Sequence, residues 1–498
     1  MLHSKPPLPD ALYSAAQVRD LDARLIAAGT PGFDLMQRAA HAAWRALRRR
    51  WPEARQLTVL VGRGNNAGDG YLIAALAQRA GWQVSALAVG DASALTGDAA
   101  SAYQEALGAG VNVLPWGQQP LVGILVDALL GTGLNGNVRE PYTNAIECIN
   151  DSGLPVMAVD IPSGLCANTG RTLGLAVHAD LTVTFIGLKI GLFTGDAPEL
   201  VGELVFDDLQ ADAAIVAQTP VSIKRLDTFN LPRLAPRSRT AHKGMFGRVL
   251  VVGGDLGFGG AALLSTESTL RCGAGMVTLA TRPEHVSAAL TRFPEVMSAG
   301  IQSANHLMVL IEPASVLVVG PGLGQHSWGR SLLSAVASAA RPQVWDADAL
   351  NQLAAGSVSL PSGCVITPHP GEAARLLGVS TQEIQADRPA AAMALAKKYN
   401  AVCVLKGSGS LIASPEGDLA LADHGHPAMA TGGLGDVLSG VIGALMAQKM
   451  PAFDAACLAV WLHALAGEKC GASGRGMAAA DLIPVIRQLL EEQQPCLS

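Results

Sequence analysis

The amino-acid sequence predicts an α/β protein of two domains, and the first domain is predicted to contain a doubly wound parallel sheet. The chain has 498 residues, whereas one ordinary domain holds roughly 100 to 200. Short β-rich runs alternate with helical stretches in both halves, and glycines stand at the strand-to-helix turns. Apolar residues make up 49% of the chain and charged residues 15%, so most of it is expected to be ordered.

The first domain is expected to begin with a helix and to continue with alternating strands and helices. Residues 14–29 show helical periodicity, and Ser14 stands where an N-cap is expected. The predicted strands lie at residues 57–61, 83–89, 123–129, 156–160 and 181–185, with helices after Asp69, Thr96 and Pro141.

A proline-containing basic segment at residues 219–242 predicts a boundary between the domains. We therefore expect a first domain at 1–218, a linker at 219–242 and a second domain at 243–498. The α/β alternation restarts after the linker, and the last quarter becomes helical from Asp436 onward. The predicted strands of the second domain begin near residues 248, 276, 315, 343, 364 and 401.

The overall composition limits the partners that the chain can have. Its net charge of -6 predicts no nucleic-acid binding, and its one arginine cluster, at residues 45–50, is predicted to end a helix. The opening residues MLHSKPPLPD have no apolar signal-peptide core, and no apolar run reaches the roughly 18 residues of a membrane span. The eight cysteines are scattered, without zinc-site spacing. We expect a cytoplasmic homo-oligomer with no membrane contact.

Three loops of the first domain carry polar residues at predicted strand ends. Asn65, Asn66 and Asp69 follow the first strand, and Asp127 stands at the carboxyl end of the third. The motif VDIPSG places Asp160 and Ser163 at the end of the fourth. Ligands of open α/β sheets bind at the carboxyl ends of strands, so these loops are predicted to converge on one crevice. Amide and carboxylate oxygens suit a polar ligand or a hard cation. The alternative for the first loop is an Asn/Gly turn with local caps.

The second domain has a glycine-rich loop, GHPAMATGGLGDVLSG, that delivers Asp436 to the start of an apolar helix. Backbone amides at a helix start attract phosphate oxygens, and a carboxylate there can accept a proton. The alternative is a turn with Asp436 as an N-cap. The segments GGDLGFGGAALLS, GPGLG, DADALN, TPHPGE and KGSGS also follow predicted strands and could meet this loop.

Three features of these segments have two interpretations each. KGSGS resembles an anion-binding nest with Lys406 as a point charge, or it forms a β-hairpin turn. His369 is a loop histidine or a ligand contact. Glu372 is an acid in the first turn of a helix, or it contacts Mg²⁺ through water.

The motifs NNxGDG, VDAxxGTGLxG and VDIPSG, in this order, resemble the NAD(P)H-hydrate epimerase domain over most of residues 10–215. The resemblance implies K⁺ bound by Asn66, in preference to Asn65, with Asp127 and Ser163. Ala67 stands where the family more often has glycine. Asp127 is our candidate acid-base residue. Lys189 is expected to be a surface lysine, and the alternative is that it supplies charge near the ligand. The residues implied to bind the hydrated nucleotide are Asn65, Asn66, Ala67, Gly68, Asp69, Gly131, Thr132, Gly133, Leu134, Asn135, Gly136, Asn137 and Asp160.

The motifs of residues 226–490 resemble the ADP-dependent NAD(P)H-hydrate dehydratase family, which has a ribokinase-like fold; the first domain is Rossmann-like. The resemblance implies that Ala262, Gly324, His369 and Asp436 bind hydrated NAD(P)H, with Mg²⁺ in the domain. The residues implied to bind ADP are Lys406, Gly407, Ser408, Gly409, Ser410 and Gly435.

Because it carries both the epimerase-like and the dehydratase-like region, the chain resembles the bifunctional NAD(P)H-hydrate repair enzymes. The implied function is epimerisation of the R and S hydrates of NADH and NADPH, followed by ADP-dependent dehydration of the S hydrate with release of AMP and phosphate. One alternative is a ribokinase-class small-molecule kinase with a regulatory nucleotide-binding N-terminal domain, which would accumulate a phosphorylated product. A second alternative makes the first domain a non-enzymatic nucleotide-sensing or protein-binding module that only regulates the second domain. Loss of R-hydrate clearance on deletion of residues 1–218 would argue against it.

Overall fold

The computed structural model describes residues 8–117 and 119–497. Residues 1–7 of the opening segment, assessed above for a signal peptide, lie outside the described residues. The chain divides into unit 1, Met1–Lys224, and unit 2, Arg225–Ser498. The division lies within the predicted linker segment, but Leu226 and Leu231 are buried in the hydrophobic core of unit 2. No described helix has the length and apolar composition that a membrane span requires.

Unit 1 consists of the following strands and helices. Its strands are β1 (Ala11–Tyr13), β2 (Gln56–Val61), β3 (Gln83–Ala88), β4 (Asn112–Pro115), β5 (Ile124–Ala128), β6 (Val156–Val159), β7 (Leu181–Phe185), β8 (Leu188–Lys189) and β9 (Glu203–Asp207), followed by β10 (Ile223–Arg225), whose last residue is the first of unit 2. Its helices are α1 (Ala15–Ala27), α2 (Gly32–Arg50), α3 (Asn65–Arg79), α4 (Gly97–Gly108), α5 (Tyr142–Asp151), α6 (Ala197–Leu200) and α7 (Ala213–Ala217).

The main sheet of unit 1 is parallel, with seven strands in the order β4-β3-β2-β5-β6-β7-β9. Both faces of this sheet are covered, because Val59 and Val61 of β2 pack in one apolar cluster and Leu60 packs in another. The strand order reverses between β2 and β5, which pair in parallel. This reversal is the switch point at which ligands bind in doubly wound folds. The predicted sheet type is therefore confirmed, and the loops after β2, β5 and β6 lie at neighbouring strand ends.

The local sequence explains where the helices of unit 1 begin and end. Ser14 caps α1 through a capping box, in which its Oγ accepts from the amide of Gln17 at 3.3 Å and its own amide donates to Gln17 Oε1 at 2.8 Å. Helix α2 ends in Arg48, Arg49 and Arg50, as predicted. Helix α3 begins at Asn65, so the asparagines expected in a loop form its first turn.

Unit 2 consists of the following strands and helices. Its strands are β11 (Arg248–Val252), β12 (Met276–Thr281), β13 (Met297–Gly300), β14 (Val316–Val319), β15 (Gln343–Trp345), β16 (Cys364–Ile366), β17 (Val402–Leu405), β18 (Ser410–Ala413) and β19 (Leu419–Ala422). Its helices are α8 (Gly259–Arg271), α9 (Val286–Arg292), α10 (Ala304–Ile311), α11 (Ser327–Ala337), α12 (Asp348–Ala354), α13 (Pro370–Leu377), α14 (Thr381–Ala386), α15 (Arg388–Tyr399), α16 (Leu434–Ala447), α17 (Ala452–Gly471) and α18 (Ala479–Gln493).

The strands of unit 2 run in the order β13-β12-β11-β14-β15-β16-β17-β18-β19. Strands β13 to β17 in this order are parallel, and β18 and β19 continue the sheet antiparallel. The loops after β11, β14, β15, β16 and β17 therefore leave the same edge of the sheet from adjacent strands. These loops contain the glycine-bearing segments that the sequence predicted to meet.

Helices α8 and α16 cross at close range and fix the start of α16. The contact is made by small polar residues: Ser268 Oγ donates to the carbonyl oxygen of Val437 at 2.9 Å, and Thr269 Oγ1 donates to that of Gly440 at 3.1 Å. A Cβ at Gly440 would overlap Ser268 Oγ and the carbonyl oxygen of Ser265. The glycine therefore sets the distance between the two helices.

We expect Gly440→Ala to lower the free energy of unfolding of unit 2 by about 1–3 kcal/mol, because the added methyl group overpacks this crossing. Gly260→Ala in α8 is the control, since a Cβ at Gly260 meets no atom within 4 Å. Chemical denaturation of both variants measures the difference. If the two variants had equal free energies of unfolding, α8 and α16 would be able to move apart around the added methyl group without loss of stability.

Candidate active sites

Unit 1 contains a cavity of about 730 Å³ at the carboxyl ends of its central strands. Polar and charged side chains from α1, α3 and the loops after β5 and β6 line it. The predicted site residues that line it are Asn65, Asn66, Asp69, Gly131, Thr132, Gly133, Leu134, Asn135 and Asp160. Ala67 and Gly68 are buried within α3, and Gly136 and Asn137 lie further along the loop, outside the cavity wall. The structure thus brings most of the predicted hydrate-binding residues to one crevice.

Asn66 stands in the first turn of α3 with its side chain buried in the cavity wall. Neither its Oδ1 nor its Nδ2 forms a hydrogen bond within the described part of the chain. Its side chain faces Gly131, where an added Cβ would lie 3.4 Å from Asn66 Cβ. A buried amide without partners is costly, so this group fits a ligand that supplies the missing interaction.

Asp127 and Ser163 form a hydrogen-bonded pair beneath the cavity. The Asp127 carboxylate accepts from the Ser163 amide at 2.7 Å, from Ser163 Oγ at 2.6 Å and from the Leu129 amide at 3.2 Å. Both side chains are fully buried, and neither lines the cavity. Burial raises the pKa of Asp127 to about 6, although these hydrogen bonds oppose the shift. This position favours a structural or cation-binding role over proton transfer at the substrate.

Lys189 is a buried residue of the cavity wall, so the expectation of a surface lysine is wrong. It is 1% exposed, and its Nζ forms an ion pair with Asp160 and donates to Thr184 Oγ1 at 2.9 Å and to the Phe185 carbonyl oxygen at 3.1 Å. Asp160 has a positive φ of 67°, which turns its backbone sharply after β6. Nothing in the apolar run FIGLKIGL indicated that Lys189 would pair with Asp160.

Two further carboxylates share the cavity with this ion pair. Burial raises the pKa of Asp69 well above its usual value, and the Asp160 and Asp22 charges add to the effect, while Lys189 opposes it. Burial likewise raises the pKa of Asp22, in α1, to about 6. Sequence reasoning missed Asp22, because its helix precedes the glycine loops and has no motif of its own.

In unit 2 the loop before α16 ends in a left-handed turn that delivers Asp436. Gly433 has φ +91°, and α16 begins at the next residue, so Asp436 stands in the first helical turn. The His463 ring holds the start of the helix through a 3.0 Å hydrogen bond from Nε2 to the Leu434 carbonyl oxygen. Burial lowers the pKa of His463 to about 4, so the ring is neutral when it donates. The side chain of Asp436 remains partly exposed.

Lys406 lies between the carboxylates of Asp346 and Glu372, close to Asp436. Its Nζ lies 2.8 Å from Asp346 Oδ1 and 4.0 Å from Glu372 Oε2. Burial alone would lower the pKa of Lys406, but the Asp346 and Glu372 carboxylates raise it above its usual value. An added Cβ at Gly435 would lie 3.0 Å from Lys406 Nζ, so this glycine lets the start of α16 approach the lysine. Asp346, which sequence reasoning did not assign to the site, is thus its buried counter-ion.

The pKa of Asp436 is raised to about 7. Burial is the largest cause, followed by repulsion from Asp346, which Lys406 partly offsets, and by weaker repulsion from Asp348 and Glu372. A carboxylate with this pKa exchanges a proton readily near neutral pH, which suits a general base.

His369 and Glu372 form a capping box at the start of α13. His369 Nδ1 accepts from the amides of Gly371 at 3.0 Å and Glu372 at 3.4 Å, and the His369 amide donates to Glu372 Oε2 at 2.8 Å. Burial, Lys406 and Arg375 lower the pKa of His369, consistent with a neutral ring that accepts. Glu372 is therefore a first-turn acid that also faces Lys406, and burial raises its pKa.

Gly324 lies in the loop after β14, and Ala262 lies in the first turn of α8, beside the loop after β11. The Gly324 amide donates to Asp348 Oδ2 at 2.9 Å, and an added Cβ there would lie 2.6 Å from Asp255 Oδ2. Ala262 is fully buried in α8, where an added Cβ at Gly254 would lie 3.1 Å from its methyl carbon. Gly324 thus sits between two carboxylates, while Ala262 supports the glycine loop after β11 from below.

The KGSGS segment forms the turn of a β-hairpin, which was one of its two interpretations. Strands β17 and β18 pair antiparallel through Leu405 and Leu411, and residues 406–409 connect them. Ser410 Oγ donates to the Gly407 carbonyl oxygen at 3.0 Å and lies 3.3 Å from the Gly407 amide. A hairpin turn of glycines and serines with Lys406 at its base remains compatible with anion binding. Across the described residues no group of three His, Cys, Asp or Glu side chains forms a metal site.

Comparisons with known proteins match both units. A model of the NAD(P)H-hydrate dehydratase family matches residues 249–488, and a model of the YjeF-related protein N-terminus matches residues 32–191. The bifunctional NAD(P)H-hydrate repair enzyme of Coxiella burnetii is 43% identical over 485 residues, which cover 96% of this chain and 99% of that protein. Its counterpart in Escherichia coli is 43% identical over 468 residues, or 93% of this chain and 90% of that protein.

A solved structure supports the predicted fold of unit 2. A ribokinase-like superfamily protein from Enterococcus faecalis is 28% identical, with a TM-score of 0.52, and the match covers 55% of this chain and 97% of that one. The chain therefore belongs to the family of bifunctional NAD(P)H-hydrate repair enzymes, as its sequence motifs predicted.

Proposed function

We propose that unit 2 dehydrates the S hydrate of NADH and NADPH with ADP as co-substrate, and that unit 1 interconverts the R and S hydrates. The observation that carries the proposal for unit 2 is the partly exposed Asp436 carboxylate, with a pKa raised to about 7, beside the Lys406–Asp346 ion pair and the glycine loops. Small molecules are thus its proposed partners. A cytoplasmic location and a homo-oligomeric state stay predictions from the sequence.

The chemistry in unit 2 follows from a poor leaving group, because hydroxide does not readily leave C6 of the hydrate. Asp436 accepts the proton of the C6 hydroxyl, whose oxygen then bonds to the β-phosphorus of ADP as the bridging P–O bond breaks and AMP leaves. The ring nitrogen then expels phosphate from C6, and loss of a proton from C5 completes the double bond of the dihydropyridine. Phosphoryl transfer of this kind depends mainly on positioning and charge neutralisation.

The unit 2 site fits a divalent cation that is bound together with the nucleotide. Asp346, Glu372 and Asp436 supply three carboxylates around one lysine, so the site favours added positive charge. Mg²⁺ usually keeps several waters and uses one or two carboxylates with the substrate phosphates. Glu372 is the carboxylate that we propose to contact it through water. Bound there, Mg²⁺ would neutralise charge on the phosphates.

We expect kcat/KM for the S hydrate at saturating ADP to rise about tenfold per pH unit below pH 7 and to level off above it, because Asp436 acts when deprotonated and its pKa is about 7. Asp436→Asn should lose roughly 10²- to 10⁴-fold in rate at every pH while still binding ADP. The absorbance of the restored NADH measures the pH profile of the native enzyme and the rate of the variant.

Asp454→Asn is the matched control, because Asp454 is also an acid in the first turn of a helix, α17. It should keep the wild-type profile. A flat profile in the native enzyme, or normal turnover by Asp436→Asn, would rule out the proposed base.

For unit 1 we propose that Asp69 carries the proton and that Asp127 does not. Protonation of the C6 hydroxyl lets the ring nitrogen expel water and form an iminium carbon, which water attacks from the opposite face before the proton returns. Asp69 lines the cavity, and burial raises its pKa, which favours the protonated form that can donate to the substrate hydroxyl. Lys189 forms an ion pair with the neighbouring Asp160 in the same cavity wall.

The cavity also fits a K⁺ ion held by Asn66, Asp127 and Ser163. Asn66 has a buried amide oxygen without a hydrogen-bond partner, and Asp127 is a buried carboxylate with no lysine or arginine within ion-pair distance among the described residues. Oxygen ligands of this kind suit a hard cation. Bound there, K⁺ would supply positive charge beside the hydrate and order the loops that carry these residues.

We expect Asp69→Asn to slow conversion of the R to the S hydrate by roughly 10²-fold or more, since the amide cannot donate the same proton. Asp98→Asn is the matched control, because Asp98 is another partly exposed aspartate that lines the cavity. Chromatographic separation of the two hydrates measures epimerisation, and dehydration by unit 2 in the same chain reports folding. If Asp69→Asn epimerised the hydrates at the wild-type rate, Asp69 would not be the proton donor, and another carboxylate would have to transfer the proton.

We expect Asn66→Ala to raise the K⁺ concentration for half-maximal epimerisation by roughly tenfold or more, the scale of losing about 1.4 kcal/mol of binding. The K⁺-dependent rise in the melting temperature of the protein should shrink in parallel. Asn65→Ala is the control and should keep the K⁺ dependence, whatever its effect on KM for the hydrate. If only Asn65→Ala changed the K⁺ dependence, the choice between the two asparagines would be reversed.

A further inference from the structure

A buried arginine lies directly beneath the KGSGS hairpin turn of unit 2. Arg388 is 1% exposed and begins helix α15. Its Nη2 atom donates to three carbonyl oxygens of the hairpin: Leu405 at 3.5 Å, Lys406 at 3.4 Å and Gly409 at 3.4 Å. One guanidinium group therefore gathers carbonyl groups from both sides of the turn.

The start of α15 holds Arg388 in this position. Asp387 caps the helix by accepting from the Ala390 amide at 3.0 Å, and Pro389 stands in the first turn. The other terminal nitrogen, Nη1, donates to Gln385 Oε1 at 2.9 Å. The helix start thus fixes the backbone of Arg388, and the Gln385 side chain holds its guanidinium group.

Gly407 shows how closely the turn rests on the guanidinium. Its φ of +138° is strained for other residues, and an added Cβ would lie 2.8 Å from Arg388 Nη1. In a trans peptide the C=O and N–H groups point in opposite directions. Because Arg388 binds the Lys406 carbonyl oxygen, the Gly407 amide points away from the guanidinium, toward Ser410 Oγ at 3.3 Å.

Burying a guanidinium is costly unless polar groups compensate for its lost hydration. Burial lowers the pKa of Arg388 to about 10, so the group remains charged at neutral pH. The carbonyl oxygens of the turn compensate part of the cost. An apolar side chain of similar length would fill the same space more cheaply but would orient none of these carbonyl groups.

We propose that Arg388 is a positioning residue for the nucleoside diphosphate. Its guanidinium turns the carbonyl groups of the hairpin inward and places a fixed positive charge under the backbone that faces the phosphates. Both effects favour an anion at the turn, because carbonyl oxygens repel phosphate and a cation attracts it. This inference rests on the proposed binding of ADP by residues 406–410.

The test compares Arg388→Lys, which keeps the charge but loses the fork of donors, with Arg388→Met, which loses both. We expect KM for ADP to rise about tenfold in Arg388→Lys and further in Arg388→Met, since tenfold corresponds to about 1.4 kcal/mol of lost binding. KM for the S hydrate should stay within about twofold, a difference worth less than RT. Calorimetric titration with ADP provides a second measurement of nucleotide affinity.

Arg237→Lys is the matched control. Arg237 also donates to a backbone carbonyl, that of Gly273 at 2.6 Å, and to a glutamine, Gln448 Oε1 at 2.8 Å, but it lies on a different part of unit 2. Epimerisation by unit 1 in each full-length variant reports whether the chain folds. If Arg388→Met does not fold, the comparison of Arg388→Lys with Arg237→Lys still decides.

Gly407→Ala distinguishes this inference from the proposed function. If Gly407→Ala raises KM for ADP and both Arg388 variants leave it unchanged, Arg388 does not position the nucleotide, although the turn binds it. If Gly407→Ala also leaves KM for ADP unchanged, the turn does not bind the nucleotide, and the proposed ADP site is wrong. A rise in KM for ADP in Gly407→Ala and the Arg388 variants, but not in Arg237→Lys, supports the inference.

Discussion

In each unit one lysine ammonium group, fully buried in unit 1 and partly buried in unit 2, stands among more carboxylates than it can neutralise. Lys189 pairs with Asp160 in unit 1, and Lys406 pairs with Asp346 in unit 2. The carboxylates left over remain in partly buried surroundings, where the charged form is disfavoured, and their pKa values rise toward neutrality. Such an arrangement costs folding free energy, which the large parallel sheets with apolar clusters packed against them must offset. It also produces proton carriers suited to work near pH 7.

The sheets could be predicted from the sequence because their central strands are buried on both faces and appear as continuous apolar runs. Strand β2 and strand β14 are of this kind, and both were found. Strand β4, NVLP, and strand β13, MSAG, stand at the edges of their sheets, are only partly buried, and gave no such run. Helix α3 begins earlier than predicted because the asparagines of its first turn are equally typical of loops.

The sites could be predicted only where a motif marks a strand end. Asp127, Asp160 and Asp436 each follow or end an apolar run beside glycines, and the structure brings each to its crevice or to the layer below it. Lys189 and Arg388 had no such mark. Their partners come from distant parts of the chain or from backbone carbonyl groups, and neither kind of contact leaves a pattern in the local sequence. A buried charged residue is recognised only when the fold supplies its neighbours.

A raised pKa alone does not identify the group that transfers a proton. Burial gives Asp127 and Asp22 pKa values of about 6, yet Asp127 is enclosed by Ser163 and Leu129, whereas Asp22 lines the cavity. Access to the substrate therefore separates the two carboxylates. Asp127 is enclosed, so its raised pKa shows that its negative charge is not fully compensated. A cation bound at Asn66 would offset that charge. In this enzyme the carboxylates on the cavity wall are suited to chemistry, and the carboxylate beneath it is suited to holding the loops and the ion in place.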